Sequence, residues 1–288
     1  MSINKIYDCF NFFNELDILE IRLNELYDVV DYFIIVESNV THSGEDKLFY
    51  FDENKDRFTK FLDKIINIKI TDTPNDFINL KSTDDNELNK INQYIINQTN
   101  RFNRYNQPDY GRDFFQKESV RRGLINCQDN DLILISDADE IPNHKFLKNI
   151  KNLDLENIIY SLNQPMYCYY LNYLKQNDWY GTKMGLYKNM KKYSFNEIRG
   201  DISLSTKINN GGWHFSFQGG INMVTKKLLS YSARDMVNQS VLSSIETNME
   251  NGIDPFFRGK LLKVEIDSTY PKYILDNLDK YSYMIKQN

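Results

Sequence analysis

The chain has 288 residues, enough for one large α/β domain or two small ones. Its 41% apolar and 26% charged residues are ordinary for a soluble globular protein, and the formal charge of −5 offers no long-range pull on nucleic acid or an anionic membrane. No stretch approaches the ~20 apolar residues of a membrane span, the start Met1-Ser2-Ile3-Asn4 is no signal peptide, and Cys9, Cys127 and Cys168 form neither a zinc pattern nor a disulfide framework, so the expected location is cytoplasmic.

Ile6 to Phe13 reads as a first strand with its exit loop. Glu15 to Val30 reads as an amphipathic helix, because Leu16, Leu19, Leu23, Leu26 and Val30 recur at three- and four-residue steps behind Asn14. Asp31 to Val36 is a second buried strand, ending in Glu37-Ser38-Asn39, which makes a βαβ start. Phe58 to Leu62 reads as helical and Lys64 to Ile70 as a third strand. Residues 71–108 are polar and Asn/Asp-rich, an inserted loop with one short helix. Arg112 to Asn126 reads as a helix. Further strands are expected at Asn157 to Leu162, Pro165 to Leu174, Trp179 to Tyr187 and Gly211 to Phe217. Residues 221–288 read as a helical C-terminal part, closed by a helix over Pro271 to Ile285. Sequons at Asn39, Asn97 and Asn238 read as chance matches in an Asn-rich chain. With no repeat and no linker, the pattern predicts a single α/β domain over 1–288, its mixed, mainly parallel sheet flanked by helices.

The most informative stretch is Asp131-Leu132-Ile133-Leu134-Ile135-Ser136-Asp137-Ala138-Asp139-Glu140-Ile141-Pro142. Leu132 to Ile135 suits a strand buried on both faces. Asp137 and Asp139, two apart on an extended chain, point the same way and repel unless a cation sits between them. A hard divalent ion with oxygen ligands resolves that conflict and leaves positions open for phosphate oxygens. The bland alternative is that Asp139 or Asn143 merely caps a helix over His144 to Lys151.

Several segments together resemble one family. They are Asp8-Cys9-Phe10, the run Asn14 to Leu26, Val36-Glu37-Ser38-Asn39, Thr41-His42-Ser43-Gly44, Arg121-Arg122, the acidic motif, Gly212-Trp213-His214-Phe215-Ser216 and Tyr270-Pro271-Lys272-Tyr273. Their order is similar to that in the family 17 glycosyltransferases, whose animal members are bisecting β-1,4-N-acetylglucosaminyltransferases. The resemblance covers most of the chain outside residues 71–108. It implies a GT-A-like (Rossmann-like) fold, a UDP-sugar donor, a divalent metal (Mn2+ or Mg2+), a glycan acceptor and inversion at the anomeric carbon. The chain departs from the animal enzymes in lacking their membrane anchor, and in carrying Tyr231-Ser232-Ala233-Arg234-Asp235 where a His-x-Glu-like element is expected.

On that reading Asp8 and Phe10 line the uridine pocket at the exit of the first strand, and Glu37 accepts a hydrogen bond from ribose or uracil. Ser43 and Gly44 let the backbone approach the nucleotide. Asp137 and Asp139 hold metal and diphosphate, and His214 joins them unless it is a core histidine. Arg122 or Arg121 neutralises the leaving diphosphate, or pairs with Glu118 on the surface. Arg22 faces the diphosphate or makes an ion pair, and Trp213 reads as core. Among Glu140, Asp178, Glu197, Asp201 and Asp235, Asp201 or Glu197 is the preferred general base. Another UDP-hexose donor and a non-catalytic carbohydrate-binding protein are the alternatives.

Overall fold

The computed structural model describes residues 3–97 and 108–287. Met1, Ser2, Asn288 and part of the expected insertion, 98–107 with most of the Asn97 sequon, lie outside the described residues. Twelve strands are described: β1 (Ile6–Asn11), β2 (Tyr32–Ser38), β3 (Ile65–Ile70), β4 (Leu132–Asp137), β5 (Glu140–Pro142), β6 (Tyr160–Leu162), β7 (Gln164–Cys168), β8 (Tyr173–Trp179), β9 (Lys183–Leu186), β10 (Thr206–Ile208), β11 (Gly212–Ser216) and β12 (Leu262–Lys263). The helices that matter for the site are α1 (Leu16–Leu26), α2 (Asn86–Ile96), α3 (Pro108–Ser119), α4 (Phe195–Gly200) and α5 (Ile221–Leu229).

Seven strands form one sheet in the order β10-β6-β9-β4-β1-β2-β3, and five form a second, β12-β8-β7-β11-β5. In the first, β1 pairs in parallel with both β2 and β4, and β2 with β3, while β9 enters antiparallel beside β4. This mixed, mainly parallel sheet flanked by helices agrees with the expected fold class. Its central strands alternate between two cores. Phe33, Ile35, Leu132 and Leu134 pack on the α1 side, whereas Ile34, Val36, Ile133 and Ile135 pack on the side of Phe115. Burial on both faces explains why these strands read as unbroken apolar runs. The second sheet and the C-terminal segment share a third core around Tyr167, Trp213, Phe215 and Tyr270.

β4 and β5 are separated only by Ala138 and Asp139. The chain therefore passes from one sheet to the other at the acidic motif. β5 is a short strand the apolar pattern did not reveal. It pairs antiparallel with β11, setting His214 opposite Glu140.

Three expected elements differ. Pro165 to Leu174 is not one strand: Tyr169 takes a φ of +69° and the chain reverses between β7 and β8. The helix expected to reach Asn126 ends at Ser119 and runs on as a tighter turn over Val120–Gly123. The closing helix is one turn, Lys272–Leu275, followed by irregular chain and a short turn at Ser282–Met284. Asn277 there turns its side-chain amide onto the Tyr273 carbonyl (2.8 Å), the local competition by which Asn weakens helices. A helix within the insertion is present as α2, capped by Asp85.

Gly212 opens β11 with a φ of +141°, and a Cβ there would overlap the Ile141 carbonyl oxygen and lie 2.8 Å from Pro142 Cα. Gly212→Ala should therefore cost about 1–3 kcal/mol, read as a lower midpoint of urea unfolding.

Candidate active site

β2 and β3 follow on one side of β1, and β4 lies on the other. Such a switch point opens a crevice at the carboxyl ends of the strands. Asn11 at the end of β1 is in register with Asp137 at the end of β4. Asn11-Phe12-Phe13 and Asp137-Ala138-Asp139 line a cavity of about 500 Å3, which also takes in Thr41, His42, parts of α3 and α5, and β11. Five of its lining side chains are Lys or Arg and four are Asp or Glu. The cavity is thus nearly balanced in charge although the chain is acidic.

Each acid has its own cation. Asp139 is buried. Its Oδ2 accepts from Lys227 Nζ at 2.7 Å, and its Oδ1 lies 3.4 Å from His214 Nε2. Burial alone would raise the Asp139 carboxyl; Lys227 and His214 more than offset it and hold it well below the usual carboxylate range. Lys227, on α5, also reaches Glu15 Oε1 at 3.0 Å, and these two acids hold its ammonium above the ordinary lysine value against burial. Asp137 is less enclosed, its side chain 42% exposed, and its Oδ2 accepts from Arg199 Nη2 at 2.6 Å. Desolvation raises its carboxyl; Arg199 opposes this and the neighbouring Glu140 adds to it.

Behind the acids a chain of contacts fixes the wall. Arg199, on α4, also binds Glu140. Glu140 accepts from Trp179 Nε1 at 2.7 Å, and the Trp179 ring lies 5.0 Å from that of His214. His214 is buried with Nδ1 unpartnered among the described residues.

Below them sits Arg22, on α1 and 0% exposed. Its Nε and Nη2 donate to Asp8 at 2.8 and 2.6 Å. Its Nη1 donates to the carbonyls of Asp137, Ala138 and Glu140 at 2.8, 3.1 and 2.9 Å. One guanidinium thus holds three carbonyls of the acidic turn.

The cavity contains Asp137, Asp139 and His214 of the expected site and leaves out the others. Asp8 and Phe10 are corrected first. β1 runs on to Asn11, so both lie mid-strand on the α1 face, Asp8 paired with Arg22 and the Phe10 ring 4.1 Å below the guanidinium. The strand exit that meets the cavity is Asn11 to Phe13. Glu37 is fully buried and accepts the Tyr50 and Phe51 backbone N–H groups and Lys47 Nζ. It is Lys47, not Glu37, that lines the cavity. Ser43 and Gly44 shape the turn whose Thr41 and His42 reach it; Gly44 has a φ of +93° and lies against the Arg112 guanidinium. Arg122 pairs with Asp72 at 2.8 Å and Arg121 with Glu118 at 3.0 Å, away from the acids. Trp213 is core and donates to the Thr269 carbonyl at 3.0 Å. Asn143, not Asp139, caps the short helix at His144.

Neither preferred base lines the cavity. Arg199 is the α4 residue turned toward the acids, and Glu197, two positions back, points to another side of the helix. Asp201 holds Ser203 through its N (2.9 Å) and Oγ (2.6 Å). The sequence reading missed Glu15, Lys227, Arg199 and the α3 pair Asp113–Lys117 (2.8 Å). Lys227 had one faint signal: it adjoins the buried stripe of Val224 and Leu228 on an amphipathic helix.

A crevice of this kind, with paired acids at a strand end and cations around them, is a candidate active site. The model of glycosyltransferase family 17 matches residues 1–254. The chain belongs to that family. Beta-1,4-mannosyl-glycoprotein 4-beta-N-acetylglucosaminyltransferase of Rattus norvegicus and of Homo sapiens is 29% identical over 140 residues, 48% of this chain and 22% of the relative. The match thus spans about a fifth of those relatives' length. Among solved structures, mannosyltransferase PcManGT from Pyrobaculum calidifontis, in complex with GDP-Man and Mn2+, is 8% identical over 86% of this chain and 70% of that one, with a TM-score of 0.39. S. aureus TarS 1-349 is 9% identical over 86% and 71%, with a TM-score of 0.36. Among the described residues no helix is long and apolar enough to cross a membrane.

Two predictions follow from the buried charges. Arg22→Met leaves Asp8 buried and unpaired and should cost about 3–5 kcal/mol, much of it recovered in the double variant with Asp8→Leu; urea unfolding of the three variants measures both. Burial pushes the Glu37 carboxyl from 4.5 up to about 7, against Lys47 and two backbone donors. A raised folded-state value means that this contribution is fully present below pH ~4.5 and lost as pH rises to ~7, on the order of 3 kcal/mol. Melting temperatures across that window should fall less steeply for Glu37→Gln than for the wild type.

Proposed function

We propose that the chain transfers N-acetylglucosamine from a UDP-sugar to a glycan hydroxyl, with inversion at the anomeric carbon. The observation that carries this is the placement of Asp137 and Asp139 at the carboxyl end of β4, on a cavity lined by both cations and acids, in a family 17 chain. The relatives' names support the choice of sugar.

The donor set fits a divalent ion held jointly with the substrate. Asp139 Oδ1 and His214 Nε2, 3.4 Å apart, are the oxygen and nitrogen donors that Mn2+ accepts. Among the described residues no three His, Cys, Asp or Glu side chains converge into a cage. Diphosphate oxygens and water would complete the shell, with Asp137 beside it. When bound, the ion draws charge off the departing UDP.

The chain's own residues do the rest. Asn11 to Phe13, Thr41 and His42 form the nucleotide end. Lys227 is a second cation for the diphosphate, held ready between Glu15 and Asp139. Arg199 orients Asp137, and Trp179 packs against His214. The base that takes the acceptor proton is one of the lining acids, since Glu197 and Asp201 stand outside the cavity.

Calorimetric titration with UDP-N-acetylglucosamine, UDP-glucose and UDP-galactose, with and without Mn2+, tests the reading. Metal-dependent binding selective for the N-acetyl sugar is expected; preference for another hexose would change the donor, and glycan affinity with no UDP-sugar binding would favour a carbohydrate-binding protein. Asp139→Asn should remove the effect of Mn2+ on UDP affinity, and it should also lower the melting temperature, because it leaves the buried Lys227 with Glu15 as its remaining acid; the titration is therefore run well below that temperature. Lys227→Met should weaken UDP binding roughly tenfold to a hundredfold, the worth of one charge-assisted contact.

A further inference from the structure

The cavity has a second wall that the donor does not explain. Phe217 follows β11, Tyr231 follows α5, and Phe256 precedes β12; all three line the cavity. The Tyr231 and Phe256 rings are stacked at 6.3 Å and 26°. Phe217 meets Phe256 at 6.2 Å and Tyr231 at 6.5 Å. The Arg258 guanidinium lies 5.2 Å from the Phe256 ring and 2.9 Å from Met236 Sδ, and among the described residues it forms no ion pair.

This wall is held by design of the loop. Asp254 Oδ1 accepts the backbone N–H groups of Phe256 (2.9 Å) and Arg258 (3.3 Å). Its Oδ2 pairs with Lys175 on β8 at 2.6 Å. Phe217 and Phe257 both take left-handed φ values, +54° and +58°. Such a conformation costs a non-glycine residue about 1–3 kcal/mol and persists where the surroundings enforce it, commonly at ligand sites. The wall also begins one side chain from the acids, because Lys227 Nζ, bound to Asp139, lies 5.6 Å from the Phe217 ring.

We propose that Tyr231 and Phe256, backed by the buried Phe217 and with Arg258 at the rim, form the acceptor subsite and hold a pyranose ring of the acceptor by its C–H face. An aromatic face carries negative charge density and attracts the polarised C–H bonds of a sugar ring. The guanidinium supplies donors to the ring's oxygens. A ring seated there presents a hydroxyl toward Asp139 and the sugar to be transferred. This rests on the glycosyltransferase reading of the cavity and adds which side chains read the acceptor.

The test is saturation-transfer NMR with chitobiose and cellobiose as probes and glycerol as the non-ring polyol, in the presence of UDP, alongside calorimetry with UDP alone. The wild type should transfer saturation to ring protons of at least one disaccharide and not to glycerol. Tyr231→Leu and Phe256→Leu, which keep bulk but remove the ring face, should cut that transfer roughly fivefold or more while UDP affinity holds, which also shows that the variants are folded. Arg258→Ala should weaken it less. Disaccharide signals equal in wild type and both leucine variants overturn the subsite. So does a wild type that binds UDP but neither disaccharide above glycerol. Failure to bind UDP at all, by contrast, overturns the donor reading.

Discussion

The site depends on one buried guanidinium. Arg22 is fully enclosed, and a charge in that position is tolerated only with its donors satisfied. Asp8 supplies the counter-charge, and the carbonyls of Asp137, Ala138 and Glu140 together with Ser136 Oγ take the remaining donors. Replacing such a pair with apolar side chains is often neutral for stability. What the pair provides here is shape: a turn between two strands of different sheets, with three carbonyls drawn inward and the Asp137 and Asp139 carboxylates left to face the cavity.

Around that turn every acid is matched. Lys227 and His214 serve Asp139, while Arg199 serves Asp137 and Glu140. The cations come from α4 and α5, late in the chain, whereas the acids sit at its middle. The first half carries the acidic turn, and the second half supplies the cations that pair with its acids. Neither half would make a usable site without the other.

That division explains what could be read from the sequence. The parallel strands were legible because burial on both faces leaves long apolar runs, as in Leu132 to Ile135. The acids stood out as a candidate metal site because two carboxylates two apart on an extended chain point the same way and repel. Strand ends were less legible: within Ile6 to Phe13 the apolar pattern does not show where strand gives way to loop, and β1 runs on to Asn11, which sets Asp8 and Phe10 inside the strand. The role of Glu37 was misjudged because a carboxylate at a strand end can cap a following helix as well as bind a ligand, and only the fold around Tyr50 decides. Arg199 and Lys227 left almost no local trace, since a cation that crosses from a distant helix looks in sequence like any surface Lys or Arg. β5 was too short for periodicity to report.

The passage from β4 to β5 through two residues has a mechanical consequence. The two sheets are tied by a tether shorter than one helical turn, and it is clamped from below. They are joined closely at that point, so the end of β1 beside β4 and the strand β11 beside β5 keep a fixed spacing. The loop that carries Phe256 and Arg258 is itself pinned by Asp254, which leaves the glycine pair ahead of α5, Gly219-Gly220, with φ values of +94° and +83°, as the joint in this wall. Tolerance in such a protein would evolve at that joint, with the acids staying where they are.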